Sequence, residues 1–569
     1  MAERDLGKLV SVARGEQPAD LLITDARIVN VFNGEVEEAN IAVAGEYIAG
    51  TGDYTQGKET VSANGKYIIP GYIDAHVHIE SSMLDIIEYS FMVVPRGTLG
   101  VVTDLHELSN VIGAEAFEYV IKMSQGLPLD FYFMAPSCVP ATNLETSGAV
   151  IDAYALKELA KKPEVMGLGE MMNYPGVINK DERVLEKLRL FQDRIIDGHA
   201  PGLGGKDLSA YIATGIYSDH ECVSLEEARE KLAKGMYIMI REGSSEKNME
   251  ALLPLVSEKT WHRCMLVTDD RNVHDLKLEG DMDHVVYRAV SLGLDPIRAI
   301  QMATINPAQY LGLKKVGAIA SGYYANMITV ADLNAMETSE VYYRGRLVGA
   351  EKLPKFTPEV PNISQPVNTV YIKDFEIKDL GLKTTGKEMP VINIIPGQII
   401  TKKSMETPKV ENGLVVADVV RDILKIAVVE RHRATGNIGV GLVKGFGLKK
   451  GAVASSVAHD SHNIVAIGTN DRDLFRAIKE IEKVGGGLVM VVNDEVFGRM
   501  DLPIAGLLSY ETGNEAASQL HELEMQLLIS GVGVESPFTL LSFLALPVIP
   551  EIRITDKGVV DVSSFEIIA

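Results

Sequence analysis

Eight strand-like apolar runs recur between about residues 70 and 312, each followed by helical sequence, and this alternation constrains the fold more than any other feature. The runs are IIPGYIDA, GVVTDL, FYFMAPS, EVMGLGE, RIIDGHA, GIYSDHE, MYIMIRE and CMLVTDD. Helical sequence intervenes, such as SLEEAREKLAKG before the seventh and NVHDLKLEGDMDHVVYRAVSLG after the eighth. Eight strands alternating with helices predict a (β/α)8 barrel, whose active site is built at the C-terminal ends of the strands.

The sequence on either side is different. Short alternating runs, LLITDARIVNVF, NIAVAGEYIAGTG and ETVSANGKYIIPG, precede the array, and a similar set, ANMITVADL and TSEVYYRGRLVG, follows it. Both sets read as β-strands, and each is too short to fold alone, so together they predict one split β-sandwich domain. Scattered prolines from Pro354 to Pro408 mark a linker, although VINIIPGQII within it has strand character. Beyond it, KIAVVERH, NIVAIGTN, the helical DRDLFRAIKEIEKV and GGGLVMVVND alternate strand and helix. The expected architecture is α/β: a metal-dependent (β/α)8 barrel at 70–312, the split β-sandwich domain at 1–69 plus 313–350, a linker at 351–395 and a C-terminal α/β domain at 396–569.

Composition narrows the partners. A formal charge of −23 repels a nucleic-acid backbone, and no basic stripe offsets it. No segment reaches the roughly 18 uninterrupted apolar residues of a membrane span, and the charged start, MAERDLGKLVSVARGE, has no signal-peptide core. A cytoplasmic protein acting on a small molecule is expected, without nucleic-acid or membrane partners, and as an assembly of identical chains. Cys138, Cys222 and Cys264 are far apart, which excludes a disulfide framework and a thiolate zinc site of the usual spacing.

Placed on the eight runs, the histidines and acids fall at strand ends. His76 and His78 follow the first, and residues i and i+2 of a strand share a face, so both imidazoles leave together. Glu170 ends the fourth, His199 the fifth, His220 the sixth and Asp269 the eighth. Neutral imidazoles with carboxylates suit Zn²⁺, Mn²⁺ or Fe²⁺, and an acid on the fourth strand can bridge two such ions. Two divalent metal ions are expected, Mn²⁺ or Fe²⁺ with Zn²⁺ as an alternative, held by His76, His78, Glu170, His199, His220 and Asp269. Asp270 would point away from Asp269 if the strand ran on.

This ordered set resembles the amidohydrolase superfamily. Many of its members that open cyclic amides use a carbamylated lysine where Glu170 stands, which argues against dihydroorotase and hydantoinase. PGYIDAHVHIESSM, TDLHELSNVIG, APSCVPATNLETSGA, GLGEMMNYPGVI and the later RHRATGNIGVGLVKGFGLKKGAVASSVAHDSHNIVAIG are similar to the bacterial adenine deaminase family over nearly the whole chain. The resemblance implies hydrolytic deamination of adenine to hypoxanthine and ammonia in purine salvage, a hydrolase acting on the C–N bond of a cyclic amidine. It implies Asp269 as metal ligand and proton acceptor, Glu170 as bridge, and Glu107 or His106 as the group that supplies or orients the ring proton. The alternative is that Glu107 and His106 only hold the metal ligands in place by hydrogen bonds.

His459, Asp460 and His462 in 455-SSVAHDSHNIVAIG-468 have three readings: a solvated turn, a separate metal site, or a loop that closes over the barrel mouth. His106 and Asp270 are taken as substrate-binding, and so are His459 and His462 on the last of these readings. Two rival functions remain open, an amidohydrolase acting on another heterocycle or an N-acyl substrate and a non-catalytic barrel scaffold; the deaminase architecture with Pro-Cys-x-x-Cys is excluded by the cysteine spacing. His262, His274 and His284, off the strand-end pattern, read as surface or helix histidines.

Overall fold

The computed structural model describes residues 5–350, 352–384 and 386–568; the expected domain limits at 1, 351 and 569 lie outside them. Strands Ala19–Asn30, Glu35–Ala44, Tyr47–Gly52, Gly57–Ser62 and Tyr67–Pro70 share one nine-stranded sheet with Met327–Val330, Thr338–Tyr343, Arg346–Ala350 and Leu353–Pro354. Its two pieces meet where Ile69 pairs antiparallel with Ile328. Leu21, Ile23, Ile41, Val43 and Ile68 pack there on Met327 and Tyr342. Neither piece could bury these side chains alone, and the seam ties both ends of the intervening array to one support.

The array is parallel α/β. We number its strands β1 (Tyr72–Asp74, resuming at Val77–His78), β2 (Thr98–Thr103), β3 (Asp130–Ala135) and β4 (Val165–Met171). They continue as β5 (Ile195–Gly198), β6 (Ser218–Asp219), β7 (Tyr237–Arg241) and β8 (Cys264–Val267, resuming at Asp269–Asp270). One ladder runs from β1 to β5 and another from β6 to β8, and Asp269–Asp270 pairs parallel with Val77–His78. Between β5 and β6, the Ala200 amide donates to Asp219 Oδ1 at 2.9 Å and the Gly198 amide to Ser218 Oγ at 3.3 Å. Glycine is required at 198, where a Cβ would lie 2.2 Å from the Ser218 carbonyl oxygen.

The helical stretch expected after β8 is broken. It forms Val273–Leu278 and Met282–Ser291, separated at Gly280, whose φ of 130° no helix accommodates. We label the helices used below α1 (His106–Ile112), α2 (Leu225–Ala233), α3 (Val273–Leu278), α4 (Asp471–Val484), α5 (Gly513–Ile529) and α6 (Pro537–Phe543).

In the C-terminal region the expected alternation of strand and helix is not how the sheet is built. Eight strands run in the order Thr401–Glu406, Met389–Ile394, Ile438–Lys444, Ile423–Val429, Ile464–Gly468, Ala452–Ser455, Gly487–Val492, Glu495–Asp501. All pairings are antiparallel except that of Met389–Ile394 with Ile438–Lys444. Short connections account for this, because a parallel pair needs a long crossover whereas a hairpin needs two residues. Asn493 and Asp494, both at positive φ, form such a two-residue turn. The linker is also shorter than expected: Met389–Ile394 is a strand of this sheet, and Val370, Ile372 and Phe375 pack against its core.

Candidate active site

The six ligand-type residues expected at the strand ends are brought together and buried, none more than 6% exposed. His76 Nε2 lies 3.4 Å from Asp269 Oδ1, and His78 Nε2 lies 3.3 Å from both Asp269 Oδ1 and Glu170 Oε1. On its other oxygen, Glu170 Oε2 is 3.3 Å from His220 Nε2 and 2.5 Å from His199 Nδ1. One oxygen of Glu170 thus faces His78, and the other faces His199 and His220.

These separations test whether the residues fit a metal. At 3.3–3.4 Å most are longer than a good hydrogen bond. They match the edge, about 3.3–3.4 Å, of a tetrahedron with bonds of about 2.0–2.1 Å to a cation at its centre. Buried imidazole nitrogens without a hydrogen-bond partner, His76 Nε2 and His199 Nε2 among them, agree with that reading. His76, His78 and Asp269 could hold one cation; His199, His220 and Glu221 could hold a second, with Glu170 reaching both groups. Burial alone would lift the Glu170 carboxyl, but the imidazoles of His199, His220 and His78 outweigh it and hold Glu170 well below the usual carboxylate range.

The local backbone explains how neighbouring acids share this space. After Val267 the strand breaks, with the Thr268 amide donating to Asp74 Oδ1 and the Asp269 amide donating to the His76 carbonyl at 3.1 Å. Asp269 takes a left-handed conformation, φ 63°, which costs a non-glycine residue of order 1–3 kcal/mol. The condition under which Asp270 would point away, a strand that runs on, is therefore not met. The left-handed turn cancels the alternation of an extended strand, so Asp269 and Asp270 line the same cavity, and Ser81 Oγ donates to Asp270 Oδ1.

His106 and Glu107 begin α1, directly past β2. Asp104 Oδ1 lies 2.8 Å from His106 Nδ1 and fixes that ring. Glu107 is 3.2 Å from His106 Nε2 through Oε1, which also contacts His459 Nδ1, while Oε2 contacts His462 Nε2. A solvated turn at 459–462 is therefore ruled out: His459 is 4% and His462 1% exposed, and both reach the same acid of the barrel region. Burial would lower His459, but the Glu107 carboxylate overrides it and raises the imidazole to about 9. For His462 burial prevails and the pKa is lowered.

Strand-end reasoning missed several groups. Arg241, at the end of β7, donates to Asp269 Oδ2 at 2.6 Å and to Glu221, the residue after His220. Asp104, Glu221 and Arg241 all obey the same positional rule as the residues found, and the chemistry of an arginine beside metal ligands is what concealed the last. Asp460 also lines the cavity. So do Ile399, Phe543, Leu546 and Ile549, which with Met172 make an apolar wall opposite the acids, and Phe543 stacks on His459 at 4.7 Å between ring centroids. No local sequence signal marks these wall residues, because folding alone brings them to the strand ends. The cavity among these side chains has a volume of about 20 Å³, room for one water.

Comparison with known proteins agrees with this arrangement. Residues 67–348 match the amidohydrolase family and residues 398–566 the adenine deaminase C-terminal domain. The chain is 52% identical to a protein named adenine deaminase from Dehalococcoides mccartyi, over 100% of this chain and 99% of that one. It is 47% identical to adenine deaminase 2 of Carboxydothermus hydrogenoformans, over 98% of each. It is 45% identical to the adenine deaminase of Kosmotoga olearia, over 97% of each. Identity of this extent, spanning both the strand-end ligands and the domain that walls them in, shows that the chain belongs to the adenine deaminase family of amidohydrolases.

Proposed function

We propose that the protein hydrolyses adenine to hypoxanthine and ammonia at a binuclear divalent-metal site in a (β/α)8 barrel. The observation that carries this is the meeting of His76, His78, Glu170, His199, His220 and Asp269 at ligand-to-ligand distances, in a chain whose full-length relatives are named adenine deaminase. When bound, the two cations, Mn²⁺ or Fe²⁺ with Zn²⁺ as the alternative, acidify a water and stabilise developing negative charge.

The remaining steps belong to side chains. Arg241 holds Asp269 Oδ2, which fixes the carboxylate so that it takes the proton of the attacking water and returns it to the departing amine. Glu107 keeps His459 charged, and that imidazolium, beside the cavity, delivers a proton to the ring nitrogen next to the reacting carbon, so the ring accepts the incoming electrons; the second proton of the same water, released as the new hydroxyl becomes the carbonyl, recharges it. His106 and Asp270 border the same space and orient the base. The apolar wall of Met172, Ile399, Phe543, Leu546 and Ile549 covers the flat ring and excludes water, and it must shift to admit a base into so small a space. The same reading takes the protein to be cytoplasmic and an assembly of identical chains, acting on a free small molecule rather than on nucleic acid or a membrane.

The test is ammonia release from adenine, adenosine, cytosine, guanine and N-acetyl amino sugars with added Mn²⁺. Adenine is expected to be turned over and adenosine left largely untouched. Ammonia or acetate from another member of the panel with none from adenine overturns the assignment.

A further inference from the structure

A second group of ligand-type side chains stands outside the catalytic cavity, where α3 packs against α5. His274 is the second residue of α3, and His521 and Glu524 lie three residues apart on one face of α5. His274 Nδ1 is 3.5 Å from Glu524 Oε2, and the rings of His274 and His521 are 4.8 Å apart between centroids at 33°.

Three observations point the same way. The 3.5 Å separation is too long for a good N–H···O hydrogen bond, yet close to the 3.3–3.4 Å that recurs among the catalytic ligands. Two imidazoles side by side with a carboxylate form a nitrogen and oxygen donor set of the kind a borderline transition cation accepts. Glu524 also lacks a cationic partner: no lysine or arginine pairs with it among the described residues. Burial, with Asp275 adding to it, raises its carboxyl to about 7. A cation at this point would supply the missing charge.

We propose that His274, His521 and Glu524 form a further divalent-cation site, suited to Zn²⁺, that clips the C-terminal helix α5 to α3. The clip bears on the catalytic centre through the chain itself. Asn272, which caps α3, is three residues beyond Asp269, so fixing α3 fixes the end of the loop that carries the catalytic acid. Lys277 Nζ, near the end of α3, reaches the Asn514 carbonyl at 3.3 Å and marks the same interface. The site stands apart from the adenine deaminase reading and does not depend on it.

The experiment is a count of total metal per chain. Full-length protein loaded with Mn²⁺ is equilibrated with Zn²⁺, freed of loose metal and analysed by elemental mass spectrometry beside His521→Ala and Glu524→Gln. Exchange in the catalytic centre leaves the total unchanged, so the total is diagnostic. One more ion per wild-type chain than in each variant is the expected result. Zinc should likewise raise the melting temperature of the wild type and not that of His521→Ala. Equal counts in the wild type and the variants overturn the proposal.

Discussion

Asp269 illustrates how one side chain is made to serve two tasks. Its Oδ1 faces His76 and His78, while Oδ2 is taken by Arg241 at 2.6 Å. Burial alone would raise this carboxyl, but the two histidines and Arg241 hold it well below its ordinary range, so it is an ionised acceptor at neutral pH. Asp269→Asn is expected to lower kcat by about 10²–10⁴, more than any fall in metal content explains, because an amide accepts no proton. Asp270→Asn is the control, and equal damage there with an active Asp269→Asn would reverse the two roles. His459 gives a pH test. On the proposed mechanism the charged form is the active one, and its pKa is raised to about 9, so the rate should hold from neutral pH towards 9 and fall as pH rises through it. His459→Gln should lose that alkaline limb along with most of kcat; a limb that persists in the variant would assign it to another group. At this scale the sequence was readable for the six histidines and acids that close apolar runs, while Asp104 and Glu221, at the same strand ends, were passed over. It was silent on Phe543 and Ile399, whose relevance exists only once the chain has folded.

Among the elements, α2 shows how the scaffold positions ligands it does not supply. Its Lys231, fully buried, donates to the Ala200 carbonyl at 2.7 Å, Asp219 Oδ2 at 2.8 Å and Glu227 Oε1 at 2.7 Å. Ala200 follows His199 and Asp219 precedes His220, so one ammonium ties together the ends of β5 and β6, where the backbone ladder is interrupted. Lys231→Met keeps the stem but leaves Asp219 buried and unpaired, at a cost of about 3–5 kcal/mol. Thermal unfolding should show the loss, and metal affinity should drop by about 10–100-fold through the displaced His199 and His220. An unchanged melting temperature would mean that the ammonium is dispensable. The eight strands themselves were legible because parallel strands covered by helices read as nearly continuous apolar runs. The breaks at Gly280 and at Asp269 were not, since they depend on backbone conformations that no periodicity records. The C-terminal sheet was misread for a related reason: apolar runs around α4 look alike whether their neighbours pair in parallel or, as here, antiparallel.

For the whole molecule, the C-terminal region completes the site rather than accompanying it. It supplies His459, His462 and most of the apolar wall, and Glu107 binds both histidines across the boundary. His459→Ala combined with His462→Ala should leave the protein folded and the strand-end metals in place, yet lower kcat/KM for adenine at least about tenfold, as loss of a closing element does. Normal kinetics in that variant would reduce the contact to packing. The central claim, that paired divalent cations at the strand ends deaminate adenine, is tested most directly by titrating metal into chelator-stripped protein and following ammonia from adenine. Activity should be absent without metal, climb with Mn²⁺ until two ions per chain are bound at the strand ends, and then level off. Full activity at one ion per chain, or ammonia from the metal-free protein, would contradict the account.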